Sequence, residues 1–229
     1  MNETVQQALT LIIPLVIAIV FHEVAHGWTA RALGDPTASQ LNRLSLNPLR
    51  HVDPVGTILV PGALALSGMP IFGWAKPVPV NKERLRNPKR DMMLVGAAGP
   101  ASNLIMALFG AILFGLMGRF IGDEVASPVL NFIATNLRLF VYINVLLAIF
   151  NLLPIPPFDG SHIVEGLLPE SASQTYAKLR PFGFPLLLVM LLVLPRISPQ
   201  LDVIGRVVSP VVNWVGEYYA IIAAIVAGG

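Results

Sequence analysis

Residues 9–33 read LTLIIPLVIAIVFHEVAHGWTARAL, and the architecture follows from this stretch. As an α-helix rising 1.5 Å per residue it is long enough to cross the roughly 30 Å hydrocarbon core of a bilayer. The preceding Met-Asn-Glu-Thr has no positive n-region, and no small-residue cleavage signal follows. The run therefore reads as a permanent helix rather than a signal peptide. Composition says the same of the whole chain. Of 229 residues, 55% are hydrophobic and 12% charged, against roughly a quarter charged in soluble domains. Mean hydropathy is +0.70. A soluble globular protein is excluded. The length admits about four to six crossing helices and, by expectation, no separate soluble domain of ordinary size. A net charge of +2 gives no footing for a nucleic-acid partner. With no Cys, any metal must be held by His nitrogen or carboxylate oxygen.

Outward from the first helix, residues 55–74 are apolar but broken by Pro54, Gly56, Pro61, Gly62, Gly68 and Pro70, so a straight crossing is not expected. A re-entrant or β-hairpin segment is. The next stretch, residues 73–91, is the most basic, with Lys76, Lys82, Arg84, Arg86, Lys89 and Arg90 against Glu83, and reads as a solvated cytoplasmic loop. Residues 92–117 form a second helix, whose Gly96, Ala97, Ala98, Gly99 and Ala101 would admit a close neighbour. Residues 129–153 form a third, stopped by Pro154, Pro156 and Pro157. Further apolar runs lie at 182–194, short for a full crossing, and at about 203–226. Glu165, Glu170, Lys178 and Arg180 read as an interfacial loop.

Two of the four histidines, His22 and His26, fall inside the first helix, four residues apart. That spacing puts both imidazoles on one face, where they can share a tetrahedral ion. Glu23 lies about 100° round the helix, beside the ion's open position. This is the H-E-x-x-H arrangement, in which the metal activates water and the Glu takes its proton. A lone intramembrane His is commonly a buried polar group satisfied by a neighbouring helix. Three ionisable groups on one turn are harder to explain that way, since a charged group at the bilayer centre costs about 2.5 kcal/mol or more. The chance of such a motif arising from four His and seven Glu is on the order of a few per thousand chains. A catalytic site needs a third protein ligand, and the candidates are His51, His162, Glu165 and Asp159. Asp159 follows a proline-broken helix end, where irregular backbone must line a cavity or be buried. His51 reads better as a loop residue, and His162 as a rival to Asp159 or its supporting partner.

HEVAH at 22–26 and NLLPIPPFDG at 151–160 resemble the site-2 protease family of intramembrane zinc metalloproteases. LNPLRHVDPVGT (46–57), GWAKPVPVN (73–81) and GAAGPASN (96–103) are similar to its small bacterial members, so the likeness runs over residues 15–165. The resemblance implies that His22, His26 and Asp159 bind one Zn2+ per chain. It implies that Glu23 is the general base and that Asn151 lies near the scissile peptide, helping to hold its carbonyl oxygen. It further implies regulated intramembrane proteolysis of a single-span membrane-protein substrate. The PDZ and CBS domains of other members find no room, so substrate filtering would fall to the membrane core or to partners.

The ligands also constrain topology. His26 and Asp159 must meet near the face where the first helix ends. If residues 55–74 crossed completely, Asp159 would emerge on the opposite side, so they must enter and return. The basic loop then lies on the metal's side, which the positive-inside rule names cytoplasmic, in a bacterial plasma membrane. The proline- and glycine-rich segment 54–74 could offer unpaired backbone to an extended substrate as an added strand.

The expected fold is an all-α polytopic membrane bundle of about five helices plus the 55–74 segment. It would be one metalloprotease domain over 1–229, with its catalytic core at 9–165 and C-terminal helices at 181–229. The rival reading is a non-proteolytic membrane metal-binding or transport protein. Transport would favour polar residues on several helices, and residues 92–117 offer only Ser102 and Asn103. A di-iron lipid-modifying site needs more histidines than the four present.

Overall fold

The computed structural model describes residues 3–68, 73–121, 127–202 and 204–229. The chain is helical, with no strand among the described residues. α1 (Glu3–Ala32) is followed by the short α2 (Thr37–Gln40), then by a π-helical turn over Pro54–Leu59 that runs into α3 (Val60–Leu66). α4 (Pro88–Ile121) and α5 (Pro128–Asn151) are long, α6 (Gly160–Leu167) and α7 (Glu170–Ala177) short. α8 (Gly183–Leu188), α9 (Leu194–Ile197) and α10 (Ser209–Ala227) complete the chain. Pro88 and Pro128 each open a helix in its first turn, where the missing N–H costs nothing. α10 closes on Gly228 in the left-handed region at φ 101°.

Five stretches are long and apolar enough to cross a membrane: Thr10–Ala32, Pro88–Ile121, Pro128–Asn151, Glu170–Ile197 and Gly205–Ala227. The run at 182–194, read from sequence as short, thus sits inside the longer, mostly helical stretch Glu170–Ile197, which a turn interrupts at residues 178–179. Large apolar side chains cover the outside of these helices, among them Phe109, Phe120, Trp214 and Ile225, as a lipid-facing surface requires.

Residues 54–74 return as the ligand argument requires. Asp53 caps the outgoing turn, accepting from the N–H groups of Val55 (3.0 Å) and Gly56 (2.7 Å). The returning chain then pairs with the start of the same segment: the Trp74 N–H donates to the Gly56 carbonyl at 3.0 Å, and the Lys76 N–H to that of His51 at 2.9 Å. The β-hairpin alternative, and with it the added-strand surface expected over 54–74, gives way to helix over Pro54–Leu66, because Asp53 and Pro54 together supply a helix start. The tip, residues 69–72, lies outside the described residues.

α1, α4 and α5 pack around the metal-ligand candidates, and α10 lies against α4 and α5, with Ala107, Val145, Val208 and Val212 at their shared core. α10 runs parallel to α4. Gly115 packs on Ala223 and Val226, Gly118 faces Ala227, and the Tyr219 hydroxyl donates to the Leu104 carbonyl at 2.9 Å. Since α5 is antiparallel to α4, the chain between α5 and α10 leaves and rejoins the bundle at one end. That is the end at which Asp159 sits.

Candidate metal centre

α1 carries His22 and His26 on one face, both buried. Each ring nitrogen Nδ1 is committed. His22 Nδ1 lies 2.6 Å from Asn103 Oδ1, and His26 Nδ1 2.6 Å from the Val95 carbonyl oxygen. The orientation of Asn103 is fixed by its other contacts: its Nδ2 donates to the Ala18 carbonyl (3.2 Å) and to Asn144 Oδ1 (2.8 Å), and Asn144 Nδ2 donates to the Phe140 carbonyl (2.8 Å). Asn103 therefore turns an oxygen to His22, and both histidines donate from Nδ1. Their Nε2 atoms are left as acceptors.

Those two acceptors converge with a third. His22 Nε2 and His26 Nε2 lie 3.1 Å apart, and Asp159 Oδ2 is 3.0 Å from the first and 3.3 Å from the second. Asp159 Oδ2 is buried with no hydrogen-bond donor. With both imidazoles neutral, three lone pairs meet there and repel unless a cation sits among them. Tetrahedral zinc with bonds of about 2.0–2.1 Å has ligand–ligand edges of about 3.3 Å. The observed triangle fits that ion. The three residues form a group able to hold a metal through one atom each.

Asp159 reaches this point because Phe158, beside it, is buried against Phe150, Leu187 and Met190. α4 covers the imidazoles with one face: Val95, Gly99 and Asn103 stand four residues apart, so a carbonyl, a gap and an amide face α1 in register. A Cβ on Gly99 would lie 2.5 Å from His26 Nε2 and 2.6 Å from His22 Nε2. Only glycine admits the rings there.

Glu23 is half-buried and stands apart from the ligand triangle, its Oε2 accepting from the Val78 N–H at 2.7 Å. Asn151, half-buried at the end of α5, turns its amide back to the Leu147 carbonyl at 3.0 Å rather than to the ligand residues. Of the other third-ligand candidates, His51 is held locally, with Nε2 2.8 Å from the Ser45 carbonyl oxygen. His162 faces Arg180 at 3.4 Å, and burial and that guanidinium depress its pKa. Glu165 accepts from Lys82 at 2.9 Å and from Arg180. Burial alone would raise its pKa, but Lys82 and Arg180 hold it below the ordinary value. Of the residues read from sequence as an interfacial loop, Glu170, Lys178 and Arg180 are exposed, while Glu165 is buried and ties the basic loop to α6 and to the segment before α8. Sequence reasoning noted Asn103 without giving it a role and passed over Asn144, although an amide in an otherwise apolar membrane helix is itself a signal.

Residues 116–194 match the sequence profile of peptidase family M50. YwhC of Bacillus subtilis, named as a zinc metalloprotease, is 38% identical over 180 residues, covering 79% of this chain and 78% of that protein. Rip2 of Mycolicibacterium smegmatis, likewise so named, is 27% identical over 214 residues, covering 93% of this chain and 75% of that protein. Rip2 of Mycobacterium tuberculosis is 28% identical over 177 residues. No solved structure matches the chain.

Proposed function

The chain belongs to peptidase family M50, the site-2 protease family, and from that premise we propose that this zinc metalloprotease hydrolyses peptide bonds within or near the membrane-spanning segment of a single-span protein. The observation that carries the site assignment is the meeting of His22 Nε2, His26 Nε2 and Asp159 Oδ2, three ligand atoms within 3.3 Å of one another. We assign these three residues to one zinc per chain. When bound there, zinc supplies a Lewis acid that polarises the scissile carbonyl and acidifies water.

The chain's own groups do the rest. Glu23 takes the proton of the attacking water as the new C–O bond forms, and returns it to the nitrogen as the C–N bond breaks, so a carboxylic acid and an amine leave. Asn103 and the Val95 carbonyl hold the imidazoles in the tautomer that keeps Nε2 free. Asn151 is proposed to meet the scissile carbonyl oxygen, its amide turning from Leu147 when substrate enters. The returning 54–74 segment supports a cytoplasmic active site, since it leaves the basic loop on the side of Asp159. Regulated intramembrane proteolysis is the setting this reading suggests. The metal-carrier alternative loses ground because Asn103 of α4 and Asn144 of α5, both fully buried, are committed to holding His22 rather than lining a path.

The test is a cleavage assay on a single-span reporter in proteoliposomes, with zinc measured on the same preparations. Glu23→Gln is expected to abolish cleavage and keep zinc. Asp159→Ala is expected to lose both. Cleavage retained by Glu23→Gln would sink the assignment.

A further inference from the structure

The run KPVPV at 76–80 belongs to a motif that the zinc ligands leave unexplained. We propose that the peptide N–H of Val78 is a positioning group for Glu23, and that this run is a strap built to deliver it. The proposal rests on Glu23 being the base.

The Val78 N–H donates to Glu23 Oε2 at 2.7 Å, the length of a hydrogen bond to an ionised acceptor. Prolines at 77 and 79 carry no N–H, so Val78 supplies the single donor between Lys76 and Val80. The groups around it are fixed. The Lys76 N–H donates to the His51 carbonyl at 2.9 Å. Arg43 Nη2 donates to the carbonyls of Lys76 (2.9 Å) and Pro77 (3.3 Å). Beyond the prolines, the Asn81 N–H donates to Asp35 Oδ2 at 2.6 Å. Asp35 lies just past α1, is fully buried, and also accepts from the Thr37 N–H at 3.0 Å and the Thr37 hydroxyl. The strap is therefore tied down on both sides of Val78.

α1 is shaped to receive it. Val78 is buried, and a Cβ on Gly27 would lie 2.8 Å from Val78 Cγ1 and run into Leu44. Gly27 thus lets the strap lie one turn from Glu23. A glutamate on a helix has three side-chain torsions to restrict. Holding Oε2 from outside the helix fixes the carboxylate plane and leaves Oε1 for the proton of water. A backbone N–H anchored at both ends does this without adding a second titratable group.

The test replaces Val78 by its α-hydroxy acid, so that an ester oxygen stands where the N–H was and the side chain is kept. V78P is the genetically encoded counterpart, and V78A keeps the donor while trimming the side chain. Each is assayed in proteoliposomes on a single-span reporter that the wild-type enzyme cleaves, with zinc content and thermal midpoint measured alongside. The ester and V78P are expected to lose about ten- to a hundredfold in kcat, with KM and zinc content unchanged, while V78A retains most of the wild-type kcat. An ester variant with unchanged or raised kcat overturns the proposal. So does a fall in kcat that tracks zinc loss, which would make the contact structural. Glu23→Gln is the control that separates the two readings: if it still cleaves, the base assignment itself fails.

Discussion

Gly99→Ala tests the packing of α4 on the imidazoles. The added methyl would stand 2.5 Å from His26 Nε2 and 2.6 Å from His22 Nε2, where apolar carbon needs about 3.5 Å. The shortfall of about 1 Å can be met in two ways. The rings can rotate, which breaks the Nδ1 bonds to Asn103 and Val95. Alternatively α4 can withdraw, but Asn103 and Val95 lie one turn to either side of Gly99 on the same face, so withdrawal breaks the same bonds. Losing one such supporting contact costs about 10- to 100-fold in metal affinity. The substitution is otherwise favourable to the helix, by about 0.5–1 kcal/mol, so poor folding is not the expected outcome. Zinc retained against a buffered chelator reads the effect. Gly62→Ala, with nothing within 4 Å, is the neutral control. Gly96→Ala, whose Cβ would lie 3.0 Å from the Asp159 carbonyl oxygen and His162 Cβ, is the milder case. Gly99→Ala holding zinc as tightly as Gly96→Ala would refute the reasoning.

Asn103→Ala removes the acceptor of His22 Nδ1 and strands Asn144 Oδ1, so zinc affinity should fall about 10- to 100-fold by chelator competition while the helical content persists. The Glu165 cluster should give a pH signature. Its carboxyl is held below its ordinary value of 4.5 by Lys82 and Arg180 against the opposing effect of burial. The unfolded chain then takes up the proton first as pH falls, so the stabilisation is present above about 4.5 and is lost as pH drops through the folded value. Thermal midpoints measured from pH 7 to pH 3 should show this loss in the wild type, and Glu165→Gln should remove that part of the slope.

The legible parts of the fold are those set by local geometry. H-E-x-x-H can be read because a four-residue spacing fixes a helix face whatever surrounds it. The return of residues 54–74 followed from prolines, glycines and the need for two ligands to meet on one side. What stayed hidden depends on long-range register. Asn103 lies 81 residues from His22 and 41 from Asn144, and no local pattern announces that three helices meet there. The Val95 carbonyl and the Val78 N–H carry no side-chain signature at all. Glu165 looked like a solvated charge because only the folded chain, which brings Lys82 to it from 83 residues away, encloses it. The helical reading of Pro54–Leu66 turned on Asp53, a cap whose effect the run of breakers obscured.

The run GAAGPASN gains a physical account from this register. A helix that is to support two imidazoles must come close enough to touch them and must also offer acceptors to both Nδ1 atoms. Gly99 provides the approach. Val95, one turn earlier, provides a backbone carbonyl, and Asn103, one turn later, provides a side-chain acceptor. An amide in this position would be costly if left unpaired, yet its oxygen is taken by His22 and its two N–H groups by Ala18 and Asn144. The network is therefore closed across three helices, and it holds each histidine by its Nδ1. Within this network, Asp159 Oδ2 is the buried atom without a hydrogen-bond partner, and it faces the two Nε2 atoms. A bundle that holds both Nδ1 atoms and brings three ligand atoms within 3.3 Å of one another supports the assignment of a cation to that point.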